Sequence, residues 1–484
     1  MDTKLLTTED NDIRIAADIL KNGGNVIFPT ETVYGLGADA KNPEAVKNIF
    51  KAKGRPSDNP LIVHISSIDM LDAIAEDISE SAKALMDKYW PGPLTIIFKK
   101  RKNVPCETTG GLSTVAVRMP GSDTARRFIE ASGTPIAAPS ANLSGKPSPT
   151  SAEHCVNDMM GRVDAIIVGE DCEVGLESTV VDLSGDIPVM LRPGGVTLEQ
   201  LKEVLGKVQT ATSVKEGESP KSPGLKYKHY APNAEVVILS GSFEEAEKYI
   251  KSSAKDKNIG VLAFDEFPQI EGVQTISLGS IKNPTDAARR LFGALRQMDE
   301  QGVDIIFAPE IPQDGMWMAV QNRLYRAAGE KIIDLKDAMK KKILFVCTGN
   351  TCRSPMAEAI FNDTAEKEGL KFYAESAGIF ANGSQASDNS VTVMRELGFD
   401  ISGRKSKQIT AEMIDEAEYV ITLTNSHRDM LNAMFGETEK ITTLAEAACE
   451  SGDVADPYGG NVEEYRGCRD MIKDMILKLT ERLK

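Results

Sequence analysis

Short apolar runs and stretches of helical period alternate along almost the whole chain. Residues 25–28 form an apolar run that predicts a strand, and PTETVYGLG at residues 29–37 predicts a turn and a second extended segment. Residues 43–53 place Ala45, Val46, Ile49 and Phe50 at helical spacing. After residue 234 the runs VVIL, IGVLAF, TISLG and IIFAP predict short strands, with a helix over residues 285–297 between them. Beyond residue 340 the pattern returns, with an apolar run at 343–346, SAGIF from Ser376, YVITLTNSH from Tyr419 and an acidic helix at the end. This alternation predicts an α/β protein. A mixed twisted sheet with helices is expected first, then a small open α/β domain, then a parallel sheet carrying a loop after its first strand. Residues 205–220 break the pattern with Lys, Glu, Ser and Thr and read as a flexible linker, which runs into SPGLKYKHYAP at 222–232.

Length fits this division, since 484 residues exceed what one hydrophobic core organises. The expected parts are residues 1–210, a linker at 211–233, an accessory domain at 234–338 and a last domain at 339–484. No apolar run approaches the length that spans a bilayer, so no membrane association is expected. The start, MDTKLLTTEDND, lacks the basic and apolar regions of a secretory signal, and seven scattered cysteines suit reduced thiols. Together these predict a cytoplasmic protein. A net charge of -16 argues against broad non-specific nucleic-acid binding but leaves room for a local basic patch.

The sharpest chemistry lies in KKILFVCTGNTCRSPMAE, residues 341–358. An apolar strand leads into Cys347, Thr348, Gly349, Asn350, Thr351, Cys352 and Arg353; Ser354 fits a helix N-cap and Pro355 the first helical position. A cysteine there meets the turn amides and the positive end of a helix dipole, which favour a thiolate. The same amides form a phosphate cradle, and a guanidinium at Arg353 can grip two phosphoryl oxygens. Nucleophile, anion nest and clamp describe hydrolysis of a phosphate ester or phosphoramidate through a phosphocysteine. Cys352 offers a reversible disulfide to Cys347 as an oxidation guard. In DVADPYGG, residues 453–460, Asp456 before a proline is the candidate general acid for the leaving group and then the base for water.

The first part carries polar segments at strand ends. KAKGRPSDNPL sets Lys53 and Arg55 at a helix end, TVAVRMP ends a strand on Arg118, and PSAN brings Ser140 and Asn142. GLESTVVD and LRPGG repeat hydroxyls and an arginine at later strand ends. In this order the segments resemble the threonylcarbamoyl-AMP synthase family over about residues 10–335, including AVQNRLYRAAGEKII near the end of the accessory domain.

That resemblance implies formation of threonylcarbamoyl-AMP and pyrophosphate from L-threonine, bicarbonate and ATP, the activated intermediate for threonylcarbamoyladenosine in tRNA. It places L-threonine near Thr32, His64, Arg118, Ala138 and Ser178, with Arg118 suited to the carboxylate. It places ATP near Arg55, Asn59, Thr114, Ser140, Ser148 and Arg192, with Lys53 and Asn142 completing the basic and polar signature. The threonine carbamate attacks the α-phosphorus, while Lys53, Arg55, Arg192 and a Mg2+ ion brought with ATP orient the phosphates. In the longer form of the family a segment matching residues 222–232 folds over the site, so Tyr230 is either an ATP contact or a surface-packed linker residue. The implied partners are tRNA-modifying transferase proteins and a weak tRNA contact. An RNA-binding module without turnover is the competing reading; a carbamoyl-transfer maturation protein would need paired-cysteine zinc motifs, which the sequence lacks.

Residues 342–484 resemble the low-molecular-weight protein phosphatase family, on CTGNTCRSP and the late DPYGG. This carries over Cys347 as nucleophile, Arg353 as clamp and Asp456 as acid, with Asn350 and Ser354 holding the loop and no cofactor. Thr351, and Gly459 after Tyr458, resemble the protein-arginine phosphatase branch rather than the tyrosine phosphatases, so phosphoarginine in phosphoproteins is the expected substrate. Arsenate reduction on the same scaffold needs two closely spaced relay cysteines, whereas Cys449 and Cys468 lie apart in sequence.

Overall fold

A computed structural model describes residues 2–56, 59–211, 230–253 and 257–484. Most of the expected linker, 212–229, lies outside the described residues. The chain forms two compact units, Met1–Leu335 and Lys336–Lys484.

In the first unit a mixed sheet of twelve strands, counted among the described residues, is covered on both faces. One apolar cluster joins Ala45, Val46, Ile49 and Phe50 to the sheet, and another joins Ile13, Ala17 and Leu20 to Phe128 and Ile129. The helix Pro43–Lys53 forms as its pattern predicts: the Asn42 side chain accepts from the amides of Glu44 and Ala45, and Gly54 ends it at φ 63°. Strands Ile62–His64 and Thr114–Arg118 run parallel, in a register that sets His64 beside Arg118 at their C-terminal ends. Ligands of open α/β sheets gather at such ends.

Glu235–Ser240, Ile259–Ala263, Gln274–Ser277, Ile305–Pro309 and Ile332–Asp334 form a second sheet, parallel throughout. The expected helix over 285–297 is longer, Pro284–Glu300; Asn283 caps its start and Pro284 opens it, and it runs three residues further at its C-terminal end. This helix and Trp317–Ala328 bury one face of the sheet in a cluster that also takes in Val33 and Leu176 of the first sheet's domain.

In the second unit Phe372–Gly378, Lys341–Cys347, Tyr419–Thr422 and Ile441–Thr443 form a parallel sheet in that spatial order, with apolar clusters on both faces. The longest helix described, Val462–Leu483, begins in a reciprocal cap between Asn461 and Glu464. Among the described residues no helix is long and apolar enough to cross a membrane.

Candidate active sites

A cleft of about 730 Å³ opens where His64, Arg118 and Arg192 end their strands. Thr32, Ala138, Ser178, Lys53, Arg55, Ser140, Asn142 and Tyr230 line it with them. Three candidates lie elsewhere. Asn59 and Ser148 are fully buried without lining the cleft. Thr114 starts the strand that Arg118 ends, and lines a separate groove with Lys99, Lys100, Arg101 and Lys102.

Arg118 is fixed by three neighbours. It donates to Thr32 Oγ1 at 2.7 Å and to the Gly92 carbonyl at 3.1 Å, and pairs with Glu31 at 2.6 Å. Burial pushes the Glu31 carboxyl up, but the Arg118 charge holds it below the ordinary carboxylate range. Burial, then Arg118, depress His64 to about 3, so its imidazole is neutral. His64 lines the cleft, and its Nδ1 is buried with no hydrogen-bond partner among the described residues.

Lys53 differs from the expectation that it orients phosphates. Its ammonium donates to the Ser140 carbonyl at 2.5 Å, the Asn142 carbonyl at 2.6 Å and Asn142 Oδ1 at 3.3 Å, which uses its three hydrogens. Burial, then Arg55, lower its pKa well below the ordinary lysine value, and its hydrogen bonds to Ser140 and Asn142 fasten the PSAN loop. Arg192 donates to Ser178 through Nε at 3.1 Å and a terminal nitrogen at 3.2 Å; burial lowers it to about 10, still protonated at neutral pH. Tyr230 is buried at φ 65°, its ring 5.1 Å from that of Phe292. Of the two roles left open for it, the cleft wall is where it sits.

Glu31, Glu177 and Arg323 were not singled out in the sequence. The first two lie inside motifs, PTETVYGLG and GLESTVVD, where they read as spacers. Arg323 lies in the accessory stretch, where nothing marked it as chemical.

In the second unit the loop closes around Cys347 Sγ, which accepts from the Asn350 amide at 3.3 Å and lies 3.0 Å from Ser354 Oγ. The helix begins at Arg353 and not after Ser354, so Ser354 is not its N-cap. Its hydroxyl turns instead to the thiol and accepts from Asn350 Nδ2 at 3.0 Å. Asn350 holds the loop from φ 55°, donating also to Ser376 at 2.8 Å and accepting from the Lys407 amide at 2.8 Å. Gly378 lets the neighbouring strand end close to this loop, since a Cβ there would stand 2.8 Å from the Asn350 nitrogen.

Arg353 donates to the Val454 carbonyl at 3.2 Å and pairs with Asp456 at 2.8 Å. Thr348 is hydrogen-bonded at 2.8 Å to His427, whose pKa burial and then Arg353 lower to about 4. His427 escaped notice because it sat in a run read only as a strand. Cys347 and Cys352 are free thiols, and Cys352 Sγ contacts Ser387 and Tyr465 hydroxyls at 3.4 Å. Burial pushes the Cys468 thiol up to about 12, which disfavours the thiolate that an arsenate-reduction relay needs. Gly459 stands at φ 79°, a backbone reason for glycine apart from any substrate.

Three family models match: telomere recombination (Sua5, YciO and YrdC) over residues 18–194, threonylcarbamoyl-AMP synthase C-terminal domain over 196–329, and low molecular weight phosphotyrosine protein phosphatase over 342–484. The threonylcarbamoyl-AMP synthase of Pyrococcus abyssi is 47% identical over 67% of this chain and 96% of its own. A solved structure of Pyrococcus abyssi Sua5 complexed with L-threonine is 45% identical, covers 69% of this chain and 99% of that one, and superposes with a TM-score of 0.65. The protein-arginine-phosphatase of Bacillus subtilis is 39% identical over 29% of this chain and 96% of its own. The chain therefore belongs to the threonylcarbamoyl-AMP synthase family, with that family's C-terminal domain, and continues from residue 342 as a domain of the low-molecular-weight phosphatase family.

Proposed function

We propose that the first unit forms threonylcarbamoyl-AMP from L-threonine, bicarbonate and ATP for tRNA threonylcarbamoyladenosine synthesis, in the cytoplasm. The observation that carries this reading is the group at the strand ends: Arg118 held by Thr32 and Glu31, beside a neutral His64 with an open buried nitrogen. Arg118 takes the threonine carboxylate, while Thr32, His64, Ala138 and Ser178 shape the seat. Arg55, Arg192 and Ser140 face the nucleotide, and Lys53 and Asn142 keep that loop in place. The carbamate oxygen attacks the α-phosphorus as the bond to pyrophosphate breaks. Mg2+ enters with ATP as part of the substrate. Pyrophosphate release that requires both threonine and bicarbonate tests the reading; ATP binding without such release would leave a nucleotide- or RNA-binding module.

The second unit is proposed to remove phosphoryl groups from protein phosphoarginine. Cys347 Sγ attacks phosphorus, the P–N bond breaks, and Asp456 protonates the departing guanidine nitrogen. Asp456 then takes a proton from the water that cleaves the S–P bond. Thr351 beside the nucleophile loop supports phosphoarginine, while the match to a phosphotyrosine phosphatase family model and the exposed ring of Tyr458 support phosphotyrosine as a second reading. Turnover of both peptides by the full chain separates them. Thr351→Ile should lower the phosphoarginine to phosphotyrosine ratio about tenfold, a change of about 1.4 kcal/mol in discrimination; an unchanged ratio removes Thr351 from specificity.

A further inference from the structure

Two loops that border the synthase cleft are gripped from behind by buried arginines of the accessory sheet's helices. Arg296 pairs with Asp158 at 2.8 Å and donates to the Pro147 carbonyl at 2.5 Å, next to Ser148. Arg323, fully buried, meets Glu177 Oε2 at 3.0 Å and the Glu177 carbonyl at 3.3 Å, and also donates to the Pro193 carbonyl. The other carboxylate oxygen of Glu177 accepts from Ser148 Oγ at 2.5 Å. The approach is close: a Cβ on Gly175 would stand 2.4 Å from the Arg289 Cα in the helix Pro284–Glu300.

Glu177 lines the cleft beside Arg192, so it places a buried carboxylate where an anionic triphosphate is to bind. Left alone it would repel the phosphates and offset Arg192. We propose that Arg323 is a positioning residue for ATP, one that cancels the Glu177 charge from behind the cleft wall and so leaves Arg192 and Arg55 as net positive charge. Ser178, which follows Glu177, receives both hydrogen bonds from Arg192, so the same grip sets the direction of that guanidinium. The Arg323 guanidinium also lies 6.0 Å from the Tyr230 ring centre, on the wall completed by Phe292. The accessory domain thereby supplies part of the nucleotide site's charge balance without touching the nucleotide. A buried pair replaced on both sides by neutral groups is often tolerated, whereas removal of one partner strands the other charge. That asymmetry makes the proposal testable.

This inference rests on the ATP role proposed for the cleft. In the full chain, ATP and L-threonine affinities are measured by calorimetry for the parent, R323Q and R323Q/E177Q, alongside pyrophosphate release. R323Q is expected to weaken ATP at least about tenfold and threonine less than about threefold. R323Q/E177Q is expected to restore ATP binding to within about threefold of the parent, because the stranded charge has gone. Equal losses for ATP and threonine in R323Q, or a double variant no better than R323Q, would overturn the proposal. Should R323Q not fold, the double variant decides alone: ATP binding weakened tenfold or more overturns it. A parent that binds ATP yet releases no pyrophosphate would overturn the functional reading and leave this comparison readable. A parent that binds no ATP overturns both.

Discussion

The two sites hold their arginines in opposite ways. At and behind the synthase cleft Arg118 and Arg323 are matched by carboxylates with little exposure, Glu31 and Glu177, so the charges form a fixed interior frame. In the phosphatase loop Arg353 is buried but its partner Asp456 is half exposed, on a loop ending at a turn. A frame of buried pairs tolerates little change in either member, because the remaining charge is left without solvent. A half-exposed acid can leave its partner at small cost and take up a proton-transfer role. The first site is built from side chains far apart in sequence, the second chiefly from the backbone of one short loop.

The largest expected effect tests whether the two sites are independent. Cys347→Ser should lower phosphatase turnover by about 10⁴-fold or more, since a serine hydroxyl in that place is a far weaker nucleophile than a thiolate. Threonine-dependent pyrophosphate release should stay within about twofold, and a larger loss would break the comparison by coupling the sites. Asp456→Asn should lower phosphatase kcat about 10³-fold through loss of the proton donor. Because it also frees Arg353 from a charged partner, inhibition by inorganic phosphate should tighten in the same variant; weaker inhibition would count against the pair seen here. Arg118→Lys keeps the charge but loses the fork that spans Thr32, Gly92 and Glu31, and should raise the threonine KM about 10- to 100-fold with little change for ATP. A rise in both would mean that the frame had collapsed.

The smallest effect falls on stability against pH in both units. His64 and His427 are depressed to about 3 and about 4 from an ordinary 6.5, so each stays neutral in the folded chain. Below about pH 6.5 the unfolded chain takes up protons that the folded chain refuses, and folded-state stability falls as pH drops toward 4. Above that window these histidines contribute no pH dependence. Melting temperatures at pH 7.5 and 5.5 check this, and equal values at both would contradict the buried neutral imidazoles.

Legibility in the sequence followed the same division. The phosphatase loop was readable because its chemistry needs consecutive residues, Cys347 to Ser354, between a strand and a helix. Its capping was misjudged, since a serine before a proline has the form of an N-cap while the thiol competes for its hydroxyl. The alternating α/β pattern was equally plain, and the helix expected at 285–297 gained one residue at its start and three at its end. The frame behind the cleft was not legible. Arg323 and Glu177 are 146 residues apart, and no local period or spacing encodes such a pair. Lys53 shows the complementary case, a cation that its motif marks for a ligand and that lines the cleft while it bonds backbone carbonyls.

Asp456 reaches Arg353 from the solvent side of the loop. The phosphatase loop carries its own counter-anion, tethered to the protein, so binding of an anion there is an ion exchange and not a simple adsorption. Small mobile anions of the medium must outcompete a carboxylate already at hydrogen-bond distance. A phosphoryl group offers several charged oxygens to the amides and the guanidinium together, and it frees the displaced carboxylate to act on the leaving group.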